Sequence, residues 1–204
     1  MTKIKICGLT RLEDAVFAAE LGADFLGFIF VPESPRCVDA DRVAEIAWTL
    51  RGAGHTARIV GVFRDADVNT IRAAADIAPF DYVQLHGTES DEDIRAIGLP
   101  AIKAIRVGDA LPDTTATPSA EWLLFDTLDE RRGGGTGRRF DWSLLAMYER
   151  TKPFFLAGGL EPDNVAAAIS LVRPDAIDVA SGVESEPGVK DHGKLKALFE
   201  RIRR

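Results

Sequence analysis

Short apolar runs alternate with longer segments of helical periodicity along this chain, and this alternation limits the possible folds more than any other feature. Eight runs rich in Ile, Val and Phe have the length and composition of buried strands. Such alternation is typical of repeated strand–helix units that build a parallel sheet. The predicted strands are residues 3–8, 25–30, 58–63, 82–85, 101–105, 122–126, 154–157 and 176–180. The predicted helices are residues 12–21, 40–50, 68–78, 91–97, 142–150, 165–171 and 193–204.

One helix is missing from this pattern. Residues 107–120 contain Pro112 and Pro118 among Asp and Thr, which favours an irregular loop. The 204 residues leave about 25 for each of eight units, near the lower limit for a closed barrel. An open doubly wound sheet is the alternative, but the turn Gly8-Leu9-Thr10-Arg11 lacks its usual G-x-G-x-x-G spacing. We therefore predict one α/β domain over residues 1–204, a (β/α)₈ TIM barrel whose fifth helix is replaced by a loop.

Charge and composition argue against several classes of partner. The chain has 25 Lys and Arg against 32 Asp and Glu, a net charge of −7, so it lacks the basic surface of a nucleic-acid-binding protein. No apolar stretch approaches the ~18 residues of a membrane span, and residues 1–10 do not resemble a signal peptide. Cys7 and Cys37 lack Cys-x-x-Cys spacing, which favours a reducing cytoplasm. We expect a cytoplasmic protein without nucleic-acid or membrane partners, and we favour a monomer because no exposed apolar stripe demands a partner.

Polar residues at strand ends are the first candidates for a site, because barrel enzymes build their active sites there. In the first predicted strand Lys5 and Cys7 share one face, while Ile4 and Ile6 share the other. We expect Cys7 at the barrel mouth with a lysine one layer below, and a nearby cation lowers the pKa of a thiol. The alternative is an inert buried cysteine.

Asp126 ends the sixth predicted strand, whose other residues are apolar. Removal from water favours the protonated form of a carboxyl group, so a carboxyl at this position suits a general acid near neutral pH. The alternative is an aspartate that caps a helix or anchors a loop.

Three loops at strand ends carry groups that bind anions. Arg36 follows the second strand, where its guanidinium can bind a carboxylate or phosphate; a solvated or structurally paired arginine is the alternative. Gly158 and Gly159 follow the seventh strand, and Ser181 and Gly182 follow the eighth. Glycine lets backbone N–H groups approach an anion, and these two loops are the usual phosphate site of a barrel. We predict a phosphate site there, with plain tight turns as the alternative.

Other polar positions have weaker signals. Gln84 and His86 add polar groups to the mouth, but a lone histidine is more often structural, and no His, Cys, Asp or Glu cluster has metal-ligand spacing. Residues 133–137, nearly all glycine, form either a flap over the site or a flexible connection. Asp178 has the strand parity to face Lys5 inside the barrel, where each would satisfy the other's charge. Replacing Asp178 by alanine is then expected to destabilise the fold strongly.

The motifs at the strand ends form a series. It runs Lys5-Ile6-Cys7-Gly8-Leu9-Thr10, Gly27-Phe28 to Ser34-Pro35-Arg36, Val60-Gly61-Val62-Phe63, Gln84-Leu85-His86-Gly87, Phe125-Asp126, Gly134-Gly135-Thr136-Gly137, Phe140-Asp141-Trp142, Ala157-Gly158-Gly159-Leu160, and Asp178 to Glu184 followed by Pro187-Gly188 and Lys190-Asp191. In this order the series resembles the phosphoribosylanthranilate isomerases of tryptophan biosynthesis over almost the whole chain.

That resemblance implies a metal-free and cofactor-free enzyme for the third step of tryptophan synthesis from chorismate. The implied reaction is an Amadori rearrangement of N-(5′-phosphoribosyl)anthranilate to 1-(2-carboxyphenylamino)-1-deoxyribulose 5-phosphate, which interconverts an aldose and a ketose. The resemblance makes Asp126 the general acid at the ribose ring oxygen and Cys7 the general base at the adjacent sugar carbon. It assigns the anthranilate carboxylate to Arg36. It assigns the phosphate to backbone groups around Gly158, Gly159, Ser181 and Gly182.

Two other interpretations differ at these positions. Two other families of phosphate-binding barrels are indole-glycerol-phosphate synthase and the ribonucleotide isomerase of histidine biosynthesis. Where this chain has Cys7, those families are expected to have a Lys-based or Asp-based arrangement. A catalytically silent phosphate-binding or scaffolding barrel would tolerate the loss of Cys7 or Asp126, and both are present. We therefore favour the isomerase.

Overall fold

A closed barrel of eight parallel strands organises the protein. The computed structural model describes residues 2–111, 113–127 and 141–203. The strands are β1 Lys3–Cys7, β2 Phe25–Ile29, β3 Arg58–Phe63, β4 Tyr82–Leu85, β5 Ala101–Val107, β6 Trp122–Thr127, β7 Phe154–Leu156 and β8 Ala176–Val179. They pair in chain order, and β1 also pairs with β8, so the sheet has no free edge. The prediction of a (β/α)₈ barrel is confirmed, and the open doubly wound sheet is excluded.

Six α-helices cover the described part of the barrel. They are α1 Leu12–Glu20, α2 Ala40–Gly52, α3 Val68–Ile77, α4 Asp91–Ile97, α5 Val165–Val172 and α6 His192–Ile202. Asp39, Asp67, Ser90 and Asp191 each accept a backbone N–H bond in the first turn of a helix, which fixes where these helices begin. None of these helices is long and apolar enough to cross a membrane.

No helix lies between β5 and β6 in the described residues of that connection, as the two prolines predicted. Strand β5 itself is longer than expected. It continues to Val107 because Arg106 and Val107 pair with Asp126 and Thr127 of β6. The longer strand brings Arg106 to the same level as Asp126.

The prediction of an α-helix over residues 142–150 is wrong. A 3₁₀ helix, Trp142–Met147, lies there instead and ends at Tyr148, whose backbone is extended. The ring of Tyr148 packs edge-on against Phe125 and Phe154, with centroids 5.0 and 5.5 Å away. Extending the helix through residue 148 would withdraw this ring from the core, so packing ends the helix early.

The chain after β8 also departs from the prediction. A 3₁₀ turn, Ser181–Val183, leads into a small antiparallel hairpin of β9 Glu184–Glu186 and β10 Val189–Lys190. Gly188, in the hairpin turn, has φ +87°, a conformation that favours glycine. The hairpin brings Glu184 and Lys190 towards the mouth of the barrel.

Aromatic side chains fill the interior of the barrel near the strand beginnings. Phe25 packs edge-on against Tyr82, Trp122 and Phe155, at centroid distances of 5.9, 6.1 and 5.2 Å. A second apolar layer, which includes Ile4 and Ile6, packs between the strands and the helices. The rings fill the barrel at the amino ends of the strands, whereas Cys7 and Asp126 lie at the carboxyl ends.

Candidate active site

A buried ion pair lies beneath the end of β1. Lys5 and Asp178 face each other in the β1–β8 register, and Lys5 Nζ donates to Asp178 Oδ1 at 2.9 Å. The prediction that these two charges meet inside the barrel is confirmed. Opposite Cys7 on β2 is Gly27, where an added Cβ would lie 2.8 Å from Cys7 Sγ and 3.0 Å from Lys5 Nζ. A glycine at this position therefore leaves the space that the thiol and the ammonium occupy.

Cys7 is nearly fully buried, at 5% exposure. Burial raises the pKa of its thiol, because a thiolate loses hydration there, and the attraction of Lys5 offsets only part of this effect. The cation expected beside the thiol is therefore present, but its effect on the pKa of Cys7 is smaller than that of burial. Burial also lowers the pKa of Lys5, but Asp178 and Cys7 outweigh burial and raise it. Lys5 is thus held as an ammonium next to the thiol.

Asp126 is held near the end of β6 by its chain neighbour Thr127 and by His86, which follows β4. Its Oδ1 accepts the backbone N–H of Thr127 at 2.8 Å, and its Oδ2 lies 3.3 Å from His86 Nε2. His86 Nδ1 lies 3.0 Å from Gln84 Nε2 on β4, and the guanidinium of Arg106 donates to the His86 carbonyl at 3.0 Å. His86 and Gln84, which the sequence left as minor polar groups, thus form a chain of contacts that ends on Asp126.

Arg36 is paired within the protein. Its Nε donates to both oxygens of Glu184, at 2.9 and 3.1 Å, and its Nη2 donates to Oε2 at 2.6 Å. Lys190 Nζ donates to the same carboxylate at 2.8 Å. Burial raises the pKa of Glu184, but Arg36 and Lys190 outweigh it and hold that pKa below its usual value. Glu184 and Lys190 both belong to the motif series, but their place in the sequence predicted no role for either.

The loops predicted to bind phosphate lie against each other. Gly158 and Gly159 have φ values of +86° and +67° after β7. Asn164 fixes this turn, because its side chain donates to the Gly159 carbonyl at 2.9 Å and accepts the Glu161 N–H at 3.0 Å. A Cβ on Gly182 would clash with the Leu160 carbonyl, so the β8 loop packs directly on the β7 loop. The two loops of the prediction, with Gly158 and Gly159 in one and Ser181 and Gly182 in the other, are thus adjacent.

Two further features of the sequence are the glycine-rich flap and the possible metal ligands. The proposed flap, residues 133–137, lies outside the described residues. Across residues 2–111, 113–127 and 141–203, no group of three or more His, Cys, Asp or Glu side chains could hold a metal ion.

The fold and these strand ends define a (β/α)₈-barrel protein with a candidate acid–base site and loops suited to anions. Comparison with known proteins identifies the family. Residues 4–201 match the profile of the N-(5′-phosphoribosyl)anthranilate (PRA) isomerases. The chain is 45% identical over 204 residues to the N-(5′-phosphoribosyl)anthranilate isomerase of Magnetococcus marinus, covering 99% of this chain and 95% of that protein.

Solved structures agree with this match. The phosphoribosylanthranilate isomerase of Thermus thermophilus superposes with a TM-score of 0.87 at 39% identity, covering 99% of this chain and 98% of that one. Another phosphoribosylanthranilate isomerase, in complex with reduced 1-(o-carboxyphenylamino)-1-deoxyribulose 5-phosphate, superposes with a TM-score of 0.83 at 37% identity over 100% and 99% of the chains. This chain belongs to the N-(5′-phosphoribosyl)anthranilate isomerase family.

Proposed function

We propose that this protein catalyses the Amadori rearrangement of N-(5′-phosphoribosyl)anthranilate to 1-(2-carboxyphenylamino)-1-deoxyribulose 5-phosphate, a step of tryptophan biosynthesis. Family membership supports the reaction. The observation that carries the assignment of residues is the position of two side chains at the carboxyl ends of their strands. The Cys7 thiol ends β1 above buried Lys5, and the Asp126 carboxyl lies near the end of β6. These are one base and one acid at the end of the barrel where such enzymes react.

Asp126 acts as the general acid in the first step. Its Oδ1 accepts an amide hydrogen bond, so Oδ2 is the oxygen available to carry a proton. Transfer of that proton to the ribose ring oxygen breaks the bond between this oxygen and C1, and the nitrogen lone pair forms a protonated Schiff base. His86, 3.3 Å from Oδ2, fixes the direction of this oxygen.

Cys7 acts as the general base in the second step. Its thiolate takes the proton from C2, and the electrons of that C–H bond neutralise the Schiff base to give an enaminol. The enaminol then becomes the ketone product by proton transfer. Lys5 stabilises the thiolate electrostatically, since its ammonium is buried against the sulfur and balanced by Asp178.

Anion contacts at two sides orient the substrate between acid and base. Arg36 binds the anthranilate carboxylate, and the adjoining loops with Gly158, Gly159, Ser181 and Gly182 bind the phosphate through backbone N–H groups. Holding both ends restricts the sugar to the reactive arrangement, which lowers the entropic cost of each proton transfer.

The test follows the fluorescence of the anthranilate adduct when purified protein meets phosphoribosylanthranilate generated in place. Wild type is expected to remove the signal, while Cys7→Ala and Asp126→Asn lose about 100-fold to 10,000-fold in rate. Cys37→Ala, a change of the exposed cysteine, is the matched control and is expected to retain the rate. Inactive but folded wild type would refute the reaction, and full activity of Cys7→Ala would refute the assigned base.

We further propose one barrel domain over the whole chain, a monomer in the cytoplasm and a phosphorylated small molecule as the substrate. Among the described residues, the exposed large apolar side chains are those of Trp48, Ile77 and Leu171. They lie on three separate helices, which supports a monomer. Cys7 and Cys37 are free thiols, which supports a reducing compartment. The chemistry above uses protein side chains alone, so we propose no cofactor.

A further inference from the structure

Three charged side chains, one after β2 and two from the β9–β10 hairpin, are buried together beside the barrel mouth. Arg36, Glu184 and Lys190, called the Arg36 cluster below, have side chains that are 14%, 4% and 0% exposed. Charges buried this deeply cost stability unless their partners are well placed. The cluster therefore needs an explanation in its geometry.

Lys190 and Glu184 use their hydrogen-bonding groups within the protein. Lys190 Nζ donates to Glu184 Oε1 at 2.8 Å and to the carbonyls of Cys7 and Ala180 at 2.6 and 3.2 Å, which accounts for the three protons of an ammonium. Glu184 accepts from Arg36 on both oxygens and from Lys190. Lys190 thus fixes the carboxylate relative to the ends of β1 and β8.

Arg36 is the member with capacity to spare. Its side-chain bonds use Nε and Nη2, and within the described part of the chain Nη1 makes none. The stem of Arg36 lies against Gly8, where an added Cβ would be 2.6 Å from Cδ. Two cations and one carboxylate leave the cluster with one net positive charge, which a single external anion next to Cys7 would neutralise.

We propose that Glu184 and Lys190 are positioning residues that fix the Arg36 guanidinium for a carboxylate on the aromatic ring of the substrate, and so determine selectivity for the carboxylated ring. This inference rests on the proposed function. Glu184 holds one edge of the guanidinium through a fork of parallel bonds, which leaves the other edge preorganised for a second carboxylate. A lysine at position 36 could not be held in this way.

The experiment measures ligand selectivity by calorimetric titration. The probes are reduced 1-(o-carboxyphenylamino)-1-deoxyribulose 5-phosphate and the same compound without its ring carboxylate. Wild type is expected to prefer the carboxylated probe, and Glu184→Gln is expected to reduce the ratio of the two affinities about tenfold. Glu186→Gln, an exposed glutamate of the same hairpin strand, is the matched control and is expected to leave the ratio unchanged.

A double variant separates action through Arg36 from a general loss of structure. If Glu184 acts through Arg36, then Arg36→Met and the Arg36→Met/Glu184→Gln double variant have the same affinity ratio. Equal weakening of both probes by Glu184→Gln, or a further fall of the ratio in the double variant, would overturn the proposal. Glu184→Asp keeps the charge with a shorter reach, and it is expected to give a smaller loss of the same kind should the glutamine variant not fold.

Steady-state kinetics with phosphoribosylanthranilate distinguish a failure of this proposal from a failure of the proposed function. In Glu184→Gln the KM for phosphoribosylanthranilate is expected to rise about tenfold with little change in kcat, as when a binding contact is lost equally from substrate and transition state. Wild type that prefers the carboxylated probe but does not convert phosphoribosylanthranilate would refute the reaction alone. Wild type that binds both probes equally would refute the positioning role and the binding of the carboxylate by Arg36, but not the reaction.

Discussion

Cys7 is subject to two opposing effects on its ionisation. Burial disfavours the thiolate, whereas the ammonium of Lys5 favours it, and burial is the larger effect. A carbon-bound proton requires a strong base, and a thiol with a raised pKa is the more basic one once it is ionised. The thiolate of Cys7 is therefore scarce at neutral pH, but it is a stronger base once it forms.

This balance predicts the titration of the thiol itself. Because burial raises the pKa of Cys7, we expect its thiolate to form only above the ordinary thiol pKa of 9.0. The measurement is the ultraviolet absorbance of the thiolate across pH in Cys37→Ser, which retains Cys7 as its only cysteine. Formation of half of the thiolate below pH 9.0 would contradict the direction of the shift.

The residues of the candidate site differed in how far the sequence could predict them. Cys7, Asp126, Gly158, Gly159 and Gly182 could be selected as candidates because they end or follow strands of a recognisable pattern. The roles of Glu184 and Lys190 were missed because each depends on a contact that local pattern does not encode. Arg36 and Glu184 are 148 residues apart in the chain. The net pKa shift of Cys7 could not be predicted, since the sequence gives the neighbouring cation but not the extent of burial.

At the scale of elements, the strands followed from their own composition, and the errors arose where packing or pairing extends beyond the element. Tyr148 ends a short 3₁₀ helix because its ring packs in the core, and β5 continues because β6 pairs with it. The hairpin of β9 and β10 was missed because its strands have only three and two residues. Pro187-Gly188 was the available signal for that turn.

The loop after β7 gives a prediction at this scale. At Gly158, φ is +86° and an added Cβ would clash with Thr127 Oγ1 and lie 3.2 Å from Asp126 Oδ1. Gly158→Ala is therefore expected to displace both the loop and the acid, and to reduce kcat/KM by roughly 10-fold to 100-fold.

The control for this substitution is Gly98→Ala at the end of α4. Gly98 has φ +74° with nothing within 4 Å of an added Cβ, so its substitution costs only the backbone strain, about 1–2 kcal/mol. Thermal unfolding and steady-state kinetics are measured for both variants. Equal activity of the two alanine variants would show that the contact of Gly158 with the acid is unimportant.

At the scale of the whole molecule, Lys5 and Asp178 join the first strand to the last. Their ion pair lies on the β1–β8 seam, where the sheet closes on itself. The same pair lies beneath the proposed base. Closure of the barrel and the electrostatics of the site therefore depend on one contact.

Removal of one partner is expected to destabilise the entire barrel. Asp178→Ala leaves the fully buried Lys5 without its carboxylate, which costs about 3–5 kcal/mol of unfolding free energy. The double variant Lys5→Met/Asp178→Leu removes both charges and is expected to regain most of this loss. Thermal or urea unfolding measures both effects, and an unchanged melting temperature for Asp178→Ala would refute the structural role of the pair.

The closing seam also has a consequence for biosynthesis. Lys5 and Asp178 are 173 residues apart, so β1 leaves the ribosome long before its last neighbour is made. At about 5–20 residues per second, the delay is on the order of ten seconds or more. During that time β1 has β2 as its only barrel neighbour and exposes its other edge, the kind of unpaired edge that recruits other strands and attracts chaperones. The nascent chain therefore remains open to misassociation at this edge until β8 emerges.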